Sequence, residues 1–141
     1  MTFVAGTPVA TPFGAIGIEY LVVGGYVWAG DGPSSAPRKI QEIVSTEARV
    51  VELDFGTERV RCARAHPFFA GEWKDADTLK PGAKIVRRDG ALQMLYAIRD
   101  VGRAKVYELS LTGLHTYFVG RYELAVRDVQ RAPALRFSRG A

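Results

Sequence analysis

Among the side chains of this 141-residue sequence, Cys62, His66 and His115 are the ones that exchange protons or attack acyl carbons most readily near neutrality. Cys62 stands four residues before His66, and on one extended strand both would point to the same face. A thiol beside an imidazole suits nucleophilic acyl chemistry. The competing expectation, adopted here, is that Cys62 is a small buried apolar residue. A single cysteine leaves no internal disulfide framework and no cysteine-rich zinc site. Two histidines are too few for an ordinary structural metal cluster. No metal or cofactor is expected.

The frame that must position these groups is one compact domain. A chain of 141 residues is long enough to bury a real core. Its hydrophobic share of 48% and charged share of 24% are those of a globular protein. No apolar run approaches the ~20 residues that span a bilayer. The start has no basic region and reaches Pro8 and Pro12 early, so no signal peptide is expected. The net charge of +4 is spread from Arg38 to Arg139 among acidic residues, with no basic stripe interleaved with aromatics. A monomer, cytoplasmic by default, without nucleic acid or membrane partners, is the expectation.

Short runs of Val, Ile, Tyr, Phe and Thr between Gly, Pro and Asp predict an all-β fold. Strands are expected at Thr2–Ala5, Tyr26–Ala29, Ala48–Phe55, Arg59–Ala63, Lys84–Val86, Leu92–Ile98, Val106–Leu111, His115–Val119 and Leu124–Val126. Val51, Leu53 and Phe55 alternate with Glu52 and Asp54 at a period of two. Asp54-Phe55-Gly56-Thr57 and Asp89-Gly90 predict hairpin turns. Helical turns are expected near Glu19 and over Asp75–Leu79, the latter stopped by Pro81-Gly82. Ile40 and Ile43, three apart, allow another in Arg38–Ser45. Gly30–Pro37 reads as a loop. The tail 129–141 carries basic residues and no acidic ones, and is expected to be loosely ordered.

Several segments, in order, resemble the Hint module of inteins, hedgehog autoprocessing domains and, most closely, bacterial polymorphic toxins. They are TFVAGTPVATPFG from Thr2, IEYL from Ile18, VGGYV from Val23, RAHPFF ending at Phe69, GEWKDADTLKPGAKI from Gly71, VYEL from Val106 and HTYFVG from His115. The resemblance covers Thr2 to Asp128. It implies a flat, pseudo-twofold β horseshoe whose chain ends meet at one centre, and a reaction on the chain's own backbone: self-cleavage or protein splicing.

Carried over by position, the resemblance assigns Thr2 to the nucleophile site, His66 to the central histidine, His115 to the histidine of the closing block, and Arg127-Asp128 to the terminal His-Asn pair. The chemistry is altered at several of these. Where the family has a cysteine, Thr2 offers a hydroxyl that needs much stronger activation, and only Met1 precedes it in this sequence. A threonine of the family falls at Ala63, which has no hydroxyl. Arg127 stays protonated and cannot serve as a base. Asp128 lacks the amide nitrogen that cyclises to a succinimide, and is expected to pair with Arg127 or Arg131. Gly25 and Ala83 stand where the family often has Asp. Glu108 occupies a spot where some inteins carry a reactive Asp or Cys, and is expected to be an exposed strand carboxylate. Thr116, Tyr117 and Phe118 are expected to serve the core.

The expectation is a degenerate Hint domain with a degenerate active site, acting at most on its own flanking polypeptide and not as a turnover enzyme. The alternative is a scaffold or protein-binding module that keeps the fold.

Overall fold

The computed structural model describes residues 3–30, 34–113 and 115–128. The chain is all-β, with twelve strands among these residues. Its spine is a pair of long antiparallel strands, β4 (Ala36–Asp54) and β10 (Ala97–Leu111), in register from Ala97 opposite Asp54 to Leu111 opposite Ile40. The start of β4 pairs with β3 (Tyr26–Ala29) and its end with β5 (Arg59–Ala63). The Asp54–Glu58 turn closes as its sequence predicts. Gly56 has φ +95°, its N–H donates to Asp54 Oδ1, and Phe55 N–H donates to the Glu58 carbonyl.

The two ends of the chain meet on β11 (Thr116–Val119). β1 (Pro8–Thr11) reaches it at Val9 opposite Val119, and β3 reaches it at Ala29 opposite Tyr117. β2 (Gly14–Gly17) folds back on β1, and β12 (Leu124–Arg127) lies along β11. β12 then joins β6 (Pro67–Phe69) at Val126 opposite Phe68, and β6 pairs with β7 (Trp73–Asp75). β8 (Lys84–Val86) and β9 (Leu92–Met94) form a separate hairpin. One core runs beneath all of this, with Phe3, Ile18, Leu53, Phe68, Leu109 and Tyr117 fully buried. Single-turn 3-10 helices at Ile18–Tyr20 and Ala76–Thr78 stand where short helical turns were expected.

Three expectations of the sequence are corrected. The Arg38–Ser45 segment is strand, not helical turn. The register shift between Ser110 and Leu111 leaves Gln41 as an extra residue in β4. A bulge of one residue lets side chains three apart share a face, so Ile40 is buried and Ile43 packs against the same core. Arg38–Ser45 and Ala48–Phe55 are therefore one strand, as are Ala97-Ile98 and Val106–Leu111 in β10. The opening segment is not a strand over its described length: Phe3 makes isolated antiparallel bridges to Cys62 and Tyr107, and Val4–Gly6 turn away. Cys62 and His66 do not share a strand. β5 ends at Ala63, and His66 N–H closes a turn by donating to the Ala63 carbonyl at 3.0 Å. Thr2 and the tail 129–141 lie outside the described residues.

Candidate processing centre

Phe3 fixes where the beginning of the chain enters. Its N–H donates to the Tyr107 carbonyl at 3.3 Å, and its carbonyl accepts from Tyr107 N–H at 2.8 Å. The turn behind it is held by Thr7, whose hydroxyl donates to the Val4 carbonyl at 2.8 Å. Across the hairpin, Gly6 N–H donates to Glu19 Oε1 at 2.8 Å. The Ile-Glu pair of the 3-10 turn thus orders the segment that leads out from Thr2.

His66 sits against this entry point. It is 1% exposed, with its ring centroid 4.4 Å from that of Phe3 and 6.0 Å from that of Phe68. Its carbonyl accepts from Ala76 N–H, which ties the histidine turn to the second 3-10 turn. Ala63, buried beside it, adds no hydroxyl. Cys62 is fully buried, and desolvation drives its thiol pKa up, away from thiolate. It is the packing residue the sequence implied.

The closing end of the chain is built around Asp128. Its backbone N–H donates to the His115 carbonyl at 2.7 Å. Its carboxylate Oδ2 accepts from Leu111 N–H at 2.8 Å and lies 3.0 Å from His115 Nδ1, which is also 2.9 Å from Oδ1. The expected partners were Arg127 or Arg131; among the described residues the side-chain partner is His115, and Arg131 lies outside them. The β12 alternation explains it. Val126 and Asp128 turn inward while the Arg127 guanidinium lies 5.5 Å from the centroid of the Trp73 ring. Burial raises the Asp128 pKa, against the opposing pull of the His115 and Leu111 contacts.

Glu108 is a second correction. It is buried, not exposed, because at the strand period of two it shares the face of Val106, which is fully buried. Tyr117, within electrostatic reach of both carboxylates, is the residue that sequence reasoning undervalued. It is fully buried, as expected of the core, but its hydroxyl has no hydrogen-bond partner among the described residues. Its pKa is raised well above the usual phenol range by burial first, then by Asp128, Glu108 and Cys62. The ring stands edge-on to Phe3 at 6.4 Å. The Tyr117 ring thus faces Phe3, which packs on His66, while its phenol lies within electrostatic reach of Glu108 and of Asp128, the partner of His115. No cluster of three or more His, Cys, Asp or Glu among the described residues has the geometry to hold a metal ion.

Outside this centre, Glu52 is a buried carboxylate clamped by two guanidinium nitrogens, Arg61 Nε and Arg99 Nε, each at 2.9 Å. Arg99 first, and then Arg61, hold its carboxyl below the ordinary range despite burial.

The family profile for pretoxin Hint domains matches residues 36–129. The chain belongs to the pretoxin Hint family. Solved structures agree with this Hint assignment. An intein-like domain from Clostridium thermocellum is 27% identical and superposes with a TM-score of 0.83, covering 90% of this chain and 98% of that one. The gp41-1 intein, at 16% identity and a TM-score of 0.77 over 90% and 98% of the two chains, shares the fold. So does a DnaB intein from Synechocystis sp. PCC 6803, at 16% identity and a TM-score of 0.76 over 92% and 99%. No curated protein matches the Hint domain described here. No helix among its described residues is long and apolar enough to cross a membrane.

Proposed function

We propose that this Hint domain keeps the frame of a self-processing module and has lost the standard two-ended reaction. Asp128 is the observation that carries the reading. In place of an amide nitrogen able to form a succinimide, the closing position holds a carboxylate tied to Leu111 N–H and His115. The preceding residue, Arg127, is a permanent cation stacked towards Trp73. At the other end Thr2 supplies a hydroxyl in place of a thiol, and Ala63 supplies none. His66 is the remaining group suited to protonating a departing backbone nitrogen at the junction before Thr2. The substrate of any residual reaction is the domain's own flanking polypeptide, in keeping with a family named for toxin precursors.

The test places residues 2–128 between two reporter domains and follows the chain by gel and intact mass, with and without added thiol. A fusion without thiol-accelerated N-terminal cleavage or a succinimide-ended product is expected. Rapid thiol-dependent cleavage that Thr2→Ala abolishes would overturn the reading.

A second reading, a Hint scaffold that binds another protein, is favoured by the run of exposed apolar side chains at Tyr20, Val22, Val23 and Tyr26. It requires a partner whose binding is lost in the Val22→Asp, Val23→Asp double variant.

A further inference from the structure

β2 is an open edge of the sheet: among the described residues it pairs with β1 alone. Ile18 N–H donates to the Thr7 carbonyl at 2.9 Å, one step beyond the Pro8–Gly17 pair, so that pair makes no hydrogen bonds of its own. The alternation of an antiparallel ladder puts the Ala10–Ala15 pair in the same class. The N–H and C=O groups of Ala15 and Gly17 therefore point away from β1, towards the edge. Natural edges are blunted by lysine, proline, a bulge or a cover. Gly14–Gly17 has no lysine and no proline, and its register with β1 runs without a shift. Exposed aromatic rings flank it instead, Phe13 at 84% and Tyr20 at 75%, and the Tyr20 ring reaches within 3.3 Å of where a Gly17 Cβ would stand. Charge points to the occupant. From Thr2 to Gly30 the only charged side chain is Glu19, and its Oε1 is held by Gly6 N–H at 2.8 Å. Every lysine and arginine of the chain stands at Arg38 or later. Two copies that each carry a net charge of +4 repel one another, and they do so least through the segment that has no cation.

We propose that β2 pairs antiparallel with β2 of a second copy of this chain, about a twofold axis at Ile16. Ala15 N–H then donates to the Gly17 carbonyl of the second copy, Gly17 N–H donates to its Ala15 carbonyl, and the axis returns both bonds. A contact of this symmetry needs a single self-complementary strand, and main-chain pairing at a bare edge is a recurring mode of association. Ile16 is half-buried opposite the fully buried Val9. The axis sets it against its own counterpart and carries the apolar face of the sheet across the joint. This inference stands apart from both readings above, since it needs neither backbone cleavage nor a different protein.

The test is the solution mass of the purified 141-residue chain by sedimentation velocity over a wide concentration range, with amide NMR across the same series. The expected result is a concentration-dependent dimer in which the Ala15 and Gly17 amides shift, and exchange more slowly, as the dimer fills. Ala15→Pro removes an outward N–H from each copy and no bond to β1, and edge strands accept proline. It should weaken the dimer at least about tenfold. Ala15→Lys sets a cation on each side of the axis, and should weaken the dimer at low salt and recover part of it at high salt. The amide series on the parent chain needs no variant, so a misfolded Ala15→Pro does not decide the matter. A chain that stays monomeric at every concentration overturns the proposal, and if it binds another protein through Val22 and Val23 the scaffold reading still stands. A dimer that leaves the Ala15 and Gly17 amides unmoved, or that a folded Ala15→Pro forms as tightly as the parent, overturns it as well.

Discussion

At the residue scale, two buried carboxylates respond to pH in opposite directions. The native state raises the Asp128 pKa above its unfolded value, so between the two values the folded chain binds more protons than the unfolded one. Its contribution to stability is present in acid and is lost as pH rises through the raised pKa. For Glu52 the folded pKa is lowered, so its contribution is present above the unfolded value and lost as pH falls through the lowered one. Denaturant midpoints across pH should therefore show Asp128→Asn gaining on the parent towards neutrality and losing that advantage in acid. Glu52→Gln should show the reverse, with a neutral-pH cost of about 1 kcal/mol, because both arginines are half-exposed and solvent screens the pairs. Tyr117→Phe removes a buried hydroxyl that makes no hydrogen bond among the described residues, and should leave stability unchanged or raise it by up to about 1 kcal/mol. A clear loss of stability in that variant would mean the phenol has a bound partner.

At the element scale, the spine is shaped by its irregularities. Gly102 sits in a register shift with φ +88°, its N–H bound to Asp100 Oδ1, and nothing lies within 4 Å of where a Cβ would stand. Gly102→Ala should therefore report backbone strain alone, about 1–2 kcal/mol by denaturation. Gly120, in the β11–β12 turn, has φ +81°, and a Cβ there would lie 2.8 Å from Glu58 Oε1. That carboxylate accepts from Arg121 N–H through both of its oxygens. Gly120→Ala should cost more than Gly102→Ala, since it adds displacement of Glu58 to the same strain. Equal costs would show that the Glu58 contact contributes nothing. The bulge opposite Leu111 matters more for the site. It lies beside Leu111, whose N–H anchors Asp128, so a spine irregularity and the closing residue are linked through one amide.

At the scale of the whole molecule, the fold is a frame that brings distant segments together. Val9 pairs with Val119, Phe3 with Tyr107, and Val126 with Phe68. If the frame is intact and only the reacting groups have changed, restoring them should restore the reaction. Thr2→Cys, Ala63→Thr, Arg127→His and Asp128→Asn combined, between two reporter domains, should yield fragments from both junctions where the parent yields no thioester or succinimide product. A folded quadruple variant that stays whole would place the loss in the frame itself. Pairings so far apart in sequence also predict refolding on the millisecond-to-second scale by stopped-flow fluorescence, the range of β-rich domains with mostly non-local contacts.

The β class, the Asp54–Glu58 hairpin, the 3-10 turns and the Hint lineage were legible in the chain. Each rests on local chemistry, whether alternation, turn residues or an ordered set of short motifs. Local chemistry also showed that the closing pair is Arg-Asp, because a missing amide nitrogen is a property of residue type. Local chemistry could not show that Ile40 and Ile43 share a face, because the bulge between them is defined against β10. Nor could it show that Glu108 is buried, that the Tyr117 hydroxyl is buried within electrostatic reach of two carboxylates, or that Asp128 pairs with His115. Those depend on which strands lie alongside one another. Burial and partnership are relations between segments, and strand pairing settles them where the sequence leaves them open.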